Sequence, residues 1–254
     1  MVGAGPGDPG LLTLKGAEAL RQADVVVYDH LVSPRLLQAC QAKAKRLYVG
    51  KEASRHTASQ RSINRLLIRA AQSGKRVVRL KGGDPFLFGR GGEEALELAR
   101  ARVPYDVVPG VTSALAVPAY AGIPVTHRGL SSSIAVLTGH EDPLKPRSAI
   151  RWEQLATACD TIVCLMGVGT LPGIVERLTR HGRSSSTPAA VIEWGTRPVQ
   201  RTVTGTLETI AARVTRAGLH PPAILVVGEV VSLRRRLNWF EAKPLFGRRI
   251  LVTR

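Results

Sequence analysis

The sequence is poor in cysteine, in aromatic side chains and in acidic residues, and each shortage excludes something. Three cysteines, Cys40, Cys159 and Cys164, are too few and too unevenly spaced for a disulfide framework or a zinc site. They read as small buried hydrophobes in a reducing compartment. No run reaches the roughly 18 uncharged apolar residues that a membrane-spanning helix needs. The amino end lacks the charged segment, apolar run and cleavage site of a secretory leader. These points lead to the expectation of a cytoplasmic protein with no metal centre and no membrane association. Aromatics make up 4% of the chain against 44% hydrophobic residues overall, so the core must be aliphatic and few rings remain to stack on bases. At 254 residues the chain can bury one large core or two small ones.

The scarcity of acid leaves a strong excess of base. Thirty-six Lys and Arg against 19 Asp and Glu give a formal net charge of +17. Such a surface attracts polyanions, whether nucleic acid, anionic lipid or a small molecule carrying several carboxylates or phosphates. Part of the excess is plain solvation. Arg61, Arg65 and Arg69 recur every fourth residue along one side of a predicted helix, while Ile63, Leu66, Leu67 and Ala70 fill the other side.

Short β-branched runs alternate with helical patterns through the first half. Val25–Tyr28, Arg46–Val49, Val77–Leu80 and Tyr105–Val108 read as strands; Leu11–Gln22, Gln60–Gln72, Gly91–Ala101 and Thr112–Tyr120 read as helices. Such alternation predicts an α/β fold with a parallel sheet covered on both faces. After Gly129–Ser133 a second series begins, with strands near Ile134–Thr138, Thr161–Leu165, Ala189–Glu193, Gln200–Thr204 and Ile224–Val227. Helices are predicted near Leu171–Arg180 and Leu207–Thr215. The expected organisation is an amino-terminal α/β lobe over 1–129, a second α/β lobe over 130–241 and a tail over 242–254.

The unusual residues fall at the ends of predicted strands. Gly3-Ala4-Gly5-Pro6-Gly7-Asp8 follows the first, Asp29 the second, Lys51 the third, Gly82-Gly83-Asp84-Pro85 the fourth and Pro109–Ser113 the fifth. In a parallel sheet all of these lie at the carboxyl edge, where open α/β folds bind their ligands. Gly3–Gly7 matches a dinucleotide fingerprint only superficially, because Pro6 and Pro9 stiffen the turn instead of opening a helix on a phosphate. Gly82-Gly83-Asp84 describes a backbone that approaches a ligand closely with one carboxylate at hand. Phe86, Leu87 and Phe88 add apolar surface beside it.

The run Arg79–Glu94 (RLKGGDPFLFGRGGEE) resembles the signature of the uroporphyrinogen-III C-methyltransferases, a tetrapyrrole methylase family. So do Val2–Pro9, Val27-Tyr28-Asp29, Val108–Ser113, Ala121–Arg128 and Leu237–Phe240, and the resemblance covers about residues 2–241 in unbroken order. It implies two α/β lobes of the tetrapyrrole methylase type with S-adenosyl-L-methionine bound between them and S-adenosyl-L-homocysteine released. It implies cofactor contacts at Pro6, Gly82, Gly83, Asp84, Leu87, Thr112, Ser113, Met166 and Gly195. It implies proton transfer by Asp29 and Lys51, and contact between Arg128 and substrate carboxylates. The implied substrate is uroporphyrinogen III, methylated twice to precorrin-2 on the route to siroheme and cobalamin, by a homodimer. Glu52 and Trp194 depart from the family pattern, beside Lys51 and Gly195 respectively.

Without the resemblance, several of these residues have blander roles. Met166 suits a core, Gly195 a turn, Asp29 a cap for a helix starting near Ser33, and Lys51 a solvated surface. A precorrin methyltransferase acting at another ring carbon is the nearest alternative. A basic nucleic-acid-binding protein is the alternative of another class, although no nucleic-acid motif accompanies the charge. The tail Gly247–Arg254 resembles the opening strand of uroporphyrinogen-III synthase, which leads to the expectation of a fusion with a synthase domain downstream and of further strand residues upstream of Met1.

Overall fold

The computed structural model describes residues 1–50, 59–141 and 148–253. Lys51 and Glu52 lie outside the described residues. The chain divides into two compact units, Met1–Ser113 and Ala114–Arg254.

The first unit is built on a parallel sheet of β1 (Val2–Gly3), β2 (Val25–Tyr28), β3 (Lys45–Tyr48) and β4 (Val77–Lys81), in the order β1-β4-β2-β3. Helices α1 (Leu14–Gln22), α2 (Gln60–Gln72) and α3 (Gly91–Arg100) belong to this unit. The three consecutive valines of β2 show why a parallel strand reads as a continuous apolar run. Val26 packs with Leu20 of α1, while Val25 and Val27 pack with Ile63 and Leu67 of α2 and Leu98 of α3. Thr13 caps α1 by accepting from the Gly16 amide at 3.1 Å, and Ser59 caps α2 from the Ser62 amide at 3.2 Å. Capping at Thr13 starts α1 three residues later than the apolar pattern, because Pro9–Leu11 form a separate 3-10 turn. Arg61, Arg65 and Arg69 are exposed on α2, as its periodicity predicts.

The expected strand at Tyr105–Val108 does not form. This segment makes one parallel bridge, Val108 to Val2. Backbone bonds nevertheless tie it to the amino end: the Met1 ammonium donates to the Asp106 carbonyl at 2.6 Å, the Val108 amide to the Met1 carbonyl at 2.8 Å and the Gly3 amide to the Val108 carbonyl at 3.0 Å.

In the second unit, α4 (Ser113–Tyr120) is followed by β5 (Ile134–Thr138), α5 (Trp152–Ala158), β6 (Thr161–Leu165), α6 (Leu171–Arg180), β7 (Pro188–Glu193), β8 (Arg201–Thr206), α7 (Leu207–Ala217), β9 (Ala223–Val227) and α8 (Arg234–Leu237). The sheet order is β5-β6-β9-β7-β8; β5 and β6 are parallel and the other pairs antiparallel. Ile162 and Cys164, Ala189 and Val191, and Leu225 and Val227 alternate onto the face that receives Leu171, Ile174 and Leu178 of α6 and Leu207 and Ile210 of α7. Burying each such aliphatic side chain contributes about 1.5–3 kcal/mol relative to exposure.

The division falls at α4, not at residues 129 and 130. Gly122 packs against the Leu237 and Asn238 backbone, and the Arg234 guanidinium donates to the Ala121 carbonyl. Tyr120 meets Trp239 and Phe240 edge-on at 5.0 and 4.8 Å between ring centroids. These contacts tie the chain just after α4 to the carboxyl-terminal segment, a long-range pairing that element order along the sequence does not reveal. The tail beyond residue 241 begins packed, with the Phe246 ring 5.1 Å from that of Phe240, and residues 248–253 are exposed.

Candidate active site

Three tight glycine contacts build the carboxyl edge of the first unit. The Gly5 amide donates to the Gly83 carbonyl at 3.2 Å, and the Gly83 amide returns a bond to Gly5 at 2.8 Å. A Cβ on Gly3 would sit 2.5 Å from Gly110, and one on Gly110 would overlap the Gly83 carbonyl oxygen. Glycine at 3 and 110 is therefore a packing requirement between the end of β1 and the loops beside it. Gly83 differs. Its φ is +65°, and the nearest heavy atom to an added Cβ is the Ser113 nitrogen, 3.8 Å away. The backbone there is left bare towards open space, which suits close approach of a ligand.

Asp84 holds this arrangement in place. Its Oδ1 accepts from the Phe86 and Leu87 amides at 2.8 and 3.2 Å, and its Oδ2 accepts from the Gly110 amide at 3.0 Å. The carboxylate thus fastens the loop after β4 to the Pro109–Ser113 segment, a structural task that no local pattern assigns to it. Pro6, Gly82, Leu87, Thr112 and Ser113 lie on the same loops and are partly buried. Phe86 and Phe88 are exposed, which leaves apolar surface beside the bare Gly83 backbone.

Asp29 follows β2 and does not cap the helix at Ser33. Its Oδ1 accepts from the Leu31 amide at 3.1 Å, and its Oδ2 faces the Arg79 Nη2 at 3.2 Å. Arg79 sits within β4 and is 6% exposed; Lys81 is 5% and Glu94, on α3, 1% exposed. Glu94 Oε1 receives Arg79 Nε at 3.3 Å, Lys81 Nζ at 3.0 Å and Gln60 Nε2 at 3.1 Å. Burial pushes the Lys81 ammonium below its ordinary range; Arg79 adds to this, and Glu94 opposes it. Sequence reasoning misses Arg79 and Glu94 as parts of a site. The available signal is an arginine and a lysine inside a strand otherwise made of Val and Leu.

Further residues lie in the second unit. Met166 follows β6 and Gly195 follows β7, and both strands run antiparallel to β9. Met166 is exposed, against the core role that its type alone suggests. Met166, Trp194 and Thr196 all have positive φ, 57°, 47° and 67°, a conformation costing about 1–3 kcal/mol per non-glycine residue. Gly195 is dictated by packing, since a Cβ there would run into the Val117 side chain. Arg128 is exposed at the tip of a turn closed by reciprocal His127–Ser131 backbone bonds of 3.0 and 2.9 Å.

Comparison with known proteins adds to this geometry. The profile of the Tetrapyrrole (Corrin/Porphyrin) Methylases matches residues 1–211. A siroheme synthase of Azotobacter vinelandii is 51% identical over 244 residues, 96% of this chain and 52% of that protein. A uroporphyrinogen-III C-methyltransferase of Bacillus subtilis is 49% identical over 251 residues, 99% of this chain and 52% of that protein. The chain spans about half the length of the curated relatives it matches. The crystal structure of a Thermus thermophilus uroporphyrin-III C-methyltransferase with S-adenyl homocysteine is 43% identical. It superposes with a TM-score of 0.77 over 91% of this chain and 97% of that one. Among the described residues, no helix is long and apolar enough to cross a membrane.

Proposed function

The chain belongs to the tetrapyrrole methylase family, and from that premise we propose that it transfers methyl groups from S-adenosyl-L-methionine to ring carbons of uroporphyrinogen III. Two successive transfers give precorrin-2, on the route to siroheme. The observation that carries the reading is the bare backbone at Gly83, fastened on both sides by Gly5 and by Asp84 with Gly110. A loop fixed so firmly, with open space where a side chain would stand, is preorganised to hold a ligand at its backbone. The Thermus relative, solved with the demethylated cofactor, is the reason to assign that ligand as S-adenosyl-L-methionine. The residues present fit such a group, with an open cradle at Gly83 and the apolar Leu87, Phe86 and Phe88 beside it.

When bound, the cofactor supplies an electrophilic methyl on a sulfonium, so the protein needs no covalent intermediate of its own. Its task is alignment, and positioning of this kind lowers a barrier by about 7–11 kcal/mol. Asp29 stabilises the positive charge that grows on the macrocycle and takes part in removal of its proton. Lys51, outside the described residues, carries the second proton-transfer role on family resemblance. Arg128 pairs with a carboxylate of a substrate that carries eight, as an arginine fork can. Pro6, Gly82, Asp84, Thr112, Ser113, Met166 and Gly195 complete the cofactor contacts, again on family resemblance, and the chain assembles as a homodimer.

The test is incubation with methyl-labelled S-adenosyl-L-methionine and uroporphyrinogen III, with identification of the product. Two methyl groups per macrocycle at the precorrin-2 positions are expected. Methylation of another ring carbon, or none, would refute the assignment. Sedimentation of the purified chain tests the dimer separately.

A further inference from the structure

Four charged side chains of the first unit form one connected array in which only Asp29 reaches solvent appreciably. Its side chain is 21% exposed, whereas those of Arg79, Lys81 and Glu94 are 7%, 6% and 0% exposed. Burying two cations and a carboxylate costs several kcal/mol per ion before pairing offsets it. Apolar residues of similar size would fill a strand and helix interface at lower cost. Such an array is therefore poorly explained by stability alone.

The bonding around Arg79 has a direction. Its Nε is held from behind by Glu94, its Nη1 donates to the Leu80 carbonyl at 3.0 Å and the Val27 carbonyl at 3.4 Å, and its Nη2 is directed at Asp29. Only a guanidinium offers donors along three such directions from one rigid plane. Glu94 is in turn anchored by Lys81 and by Gln60, which also donates to Asn64 Oδ1 at 2.9 Å. Asp29 therefore has its Oδ1 fixed by its own turn and its Oδ2 fixed by a side chain that cannot rotate.

We propose that Arg79, locked by Glu94, is the positioning residue for the Asp29 carboxylate during methyl transfer. This rests on the functional reading above, in which Asp29 acts on the macrocycle. Arg79 touches no reacting atom; it acts through Asp29. Lysine in its place keeps the charge but loses the fork, so the carboxylate gains rotational freedom. Misplacement of a catalytic group by about 1 Å can cost on the order of a hundredfold in rate.

The experiment is a double-mutant cycle between Arg79→Lys and Asp29→Asn, measured in the full chain under saturating cofactor and substrate. Affinity for S-adenosyl-L-homocysteine, by calorimetry, and Tm are recorded for every variant. Arg79→Lys is expected to lower kcat roughly tenfold to a hundredfold. Cofactor affinity and the KM for uroporphyrinogen III should stay within about twofold of the parent, a split that a general loss of structure does not produce. In the Asp29→Asn background the same change should cost less than about twofold, because the group it orients is already gone. Glu94→Gln, closely isosteric, serves as a second route to the same cycle if Arg79→Lys fails to fold. Losses that multiply in the double variant, or a cofactor affinity that falls in step with kcat, would assign the array to the fold and overturn the proposal. Absence of methyl transfer by the parent chain overturns the functional reading and this inference with it. An active parent with multiplying losses overturns the inference alone.

Discussion

The two units solve the same packing problem with different materials. Among the described residues, the first buries Arg79, Lys81 and Glu94 at the junction of β4 and α3, whereas Glu193 is the one buried charged residue of the second. The first sheet is parallel throughout and its loops meet glycine to glycine. The second is mixed, and aliphatic layers from α6 and α7 cover it. The difference teaches where chemistry is housed. Buried charge is expensive, and here it lies beside Asp29, the group with a proposed part in the reaction. Backbone strain is shared: non-glycine residues take positive φ at Phe88, Arg90 and Arg102 in the first unit and at Met166, Trp194 and Thr196 in the second. The units therefore differ in buried charge and not in backbone strain.

The sharpest way to break this contrast is to remove Glu94. Glu94→Ala leaves Arg79 and Lys81 buried without their common partner, and a loss of about 3–5 kcal/mol is expected. Leu178→Ala, in the core of the second unit, should cost about 2–5 kcal/mol through its cavity. Urea unfolding measures both. A Glu94→Ala loss below about 1 kcal/mol would mean that water already reaches the array.

Replacing the array altogether should have the opposite sign. The triple variant Arg79→Met, Lys81→Met, Glu94→Leu is expected to be neutral, or more stable by about 1–4 kcal/mol, while methyl transfer collapses. Strong destabilisation of the triple variant would show that the charges serve the fold of the first unit after all.

Two glycines of one loop system separate packing from ligand approach. Gly110→Ala forces a methyl onto the Gly83 carbonyl and should destabilise by about 1–3 kcal/mol. Gly83→Ala meets no such collision and carries only the left-handed backbone penalty, about 1–2 kcal/mol. Calorimetry should nevertheless show loss of S-adenosyl-L-homocysteine binding in Gly83→Ala, and unchanged affinity there would remove the cradle assignment.

Alkaline titration should pull the units apart by the smallest margin. The Lys81 ammonium is held below its ordinary value of 10.5 by burial first and Arg79 second. Between its lowered value and 10.5 the unfolded chain holds a proton that the folded one has released, so rising pH adds stability there. Burial pushes the Cys164 thiol from 9.0 up to about 12. Between those values the folded chain keeps the proton that the unfolded one loses, so rising pH removes stability there. Each group contributes at most about 1.4 kcal/mol per pH unit within its window. Native-state hydrogen exchange on β4 and β6 amides from about pH 8 to about pH 10.5, in Lys81→Met and Cys164→Val variants, checks both signs. Identical pH slopes in parent and variants would mean that neither group is buried as described.

Elements set by local rules are legible in the sequence alone. The bounds of β2, β5, β6, α2 and α6 agree with the periodicity residue for residue, because apolar spacing marks each element and caps or turn residues close it. The segment Tyr105–Val108 has the composition of a strand yet makes a single bridge, Val108 to Val2, because composition does not fix how many residues a distant partner aligns with. Helix α5, of seven residues, escapes sequence reasoning because so short a run carries little periodicity. The site is legible as a set of glycine loops on one sheet edge. Its charged support is not, since Arg79 and Glu94 are 15 residues apart in sequence and meet only when α3 lies on β4.

The sequence by itself determined the alternation of strand and helix, the carboxyl-edge placement of Gly3–Asp8, Asp29, Gly82–Asp84 and Pro109–Ser113, and the resemblance that names the family. These follow from side-chain spacing and backbone freedom, which are properties of neighbouring residues. Only the tertiary structure decided that α4 belongs with the second unit, that Asp84 fastens two loops, that Gly195 is required by Val117, and that one guanidinium joins Asp29 to Glu94. Each of those depends on segments far apart in the chain being brought within a few ångströms, and no local pattern encodes which distant partner fills the remaining space.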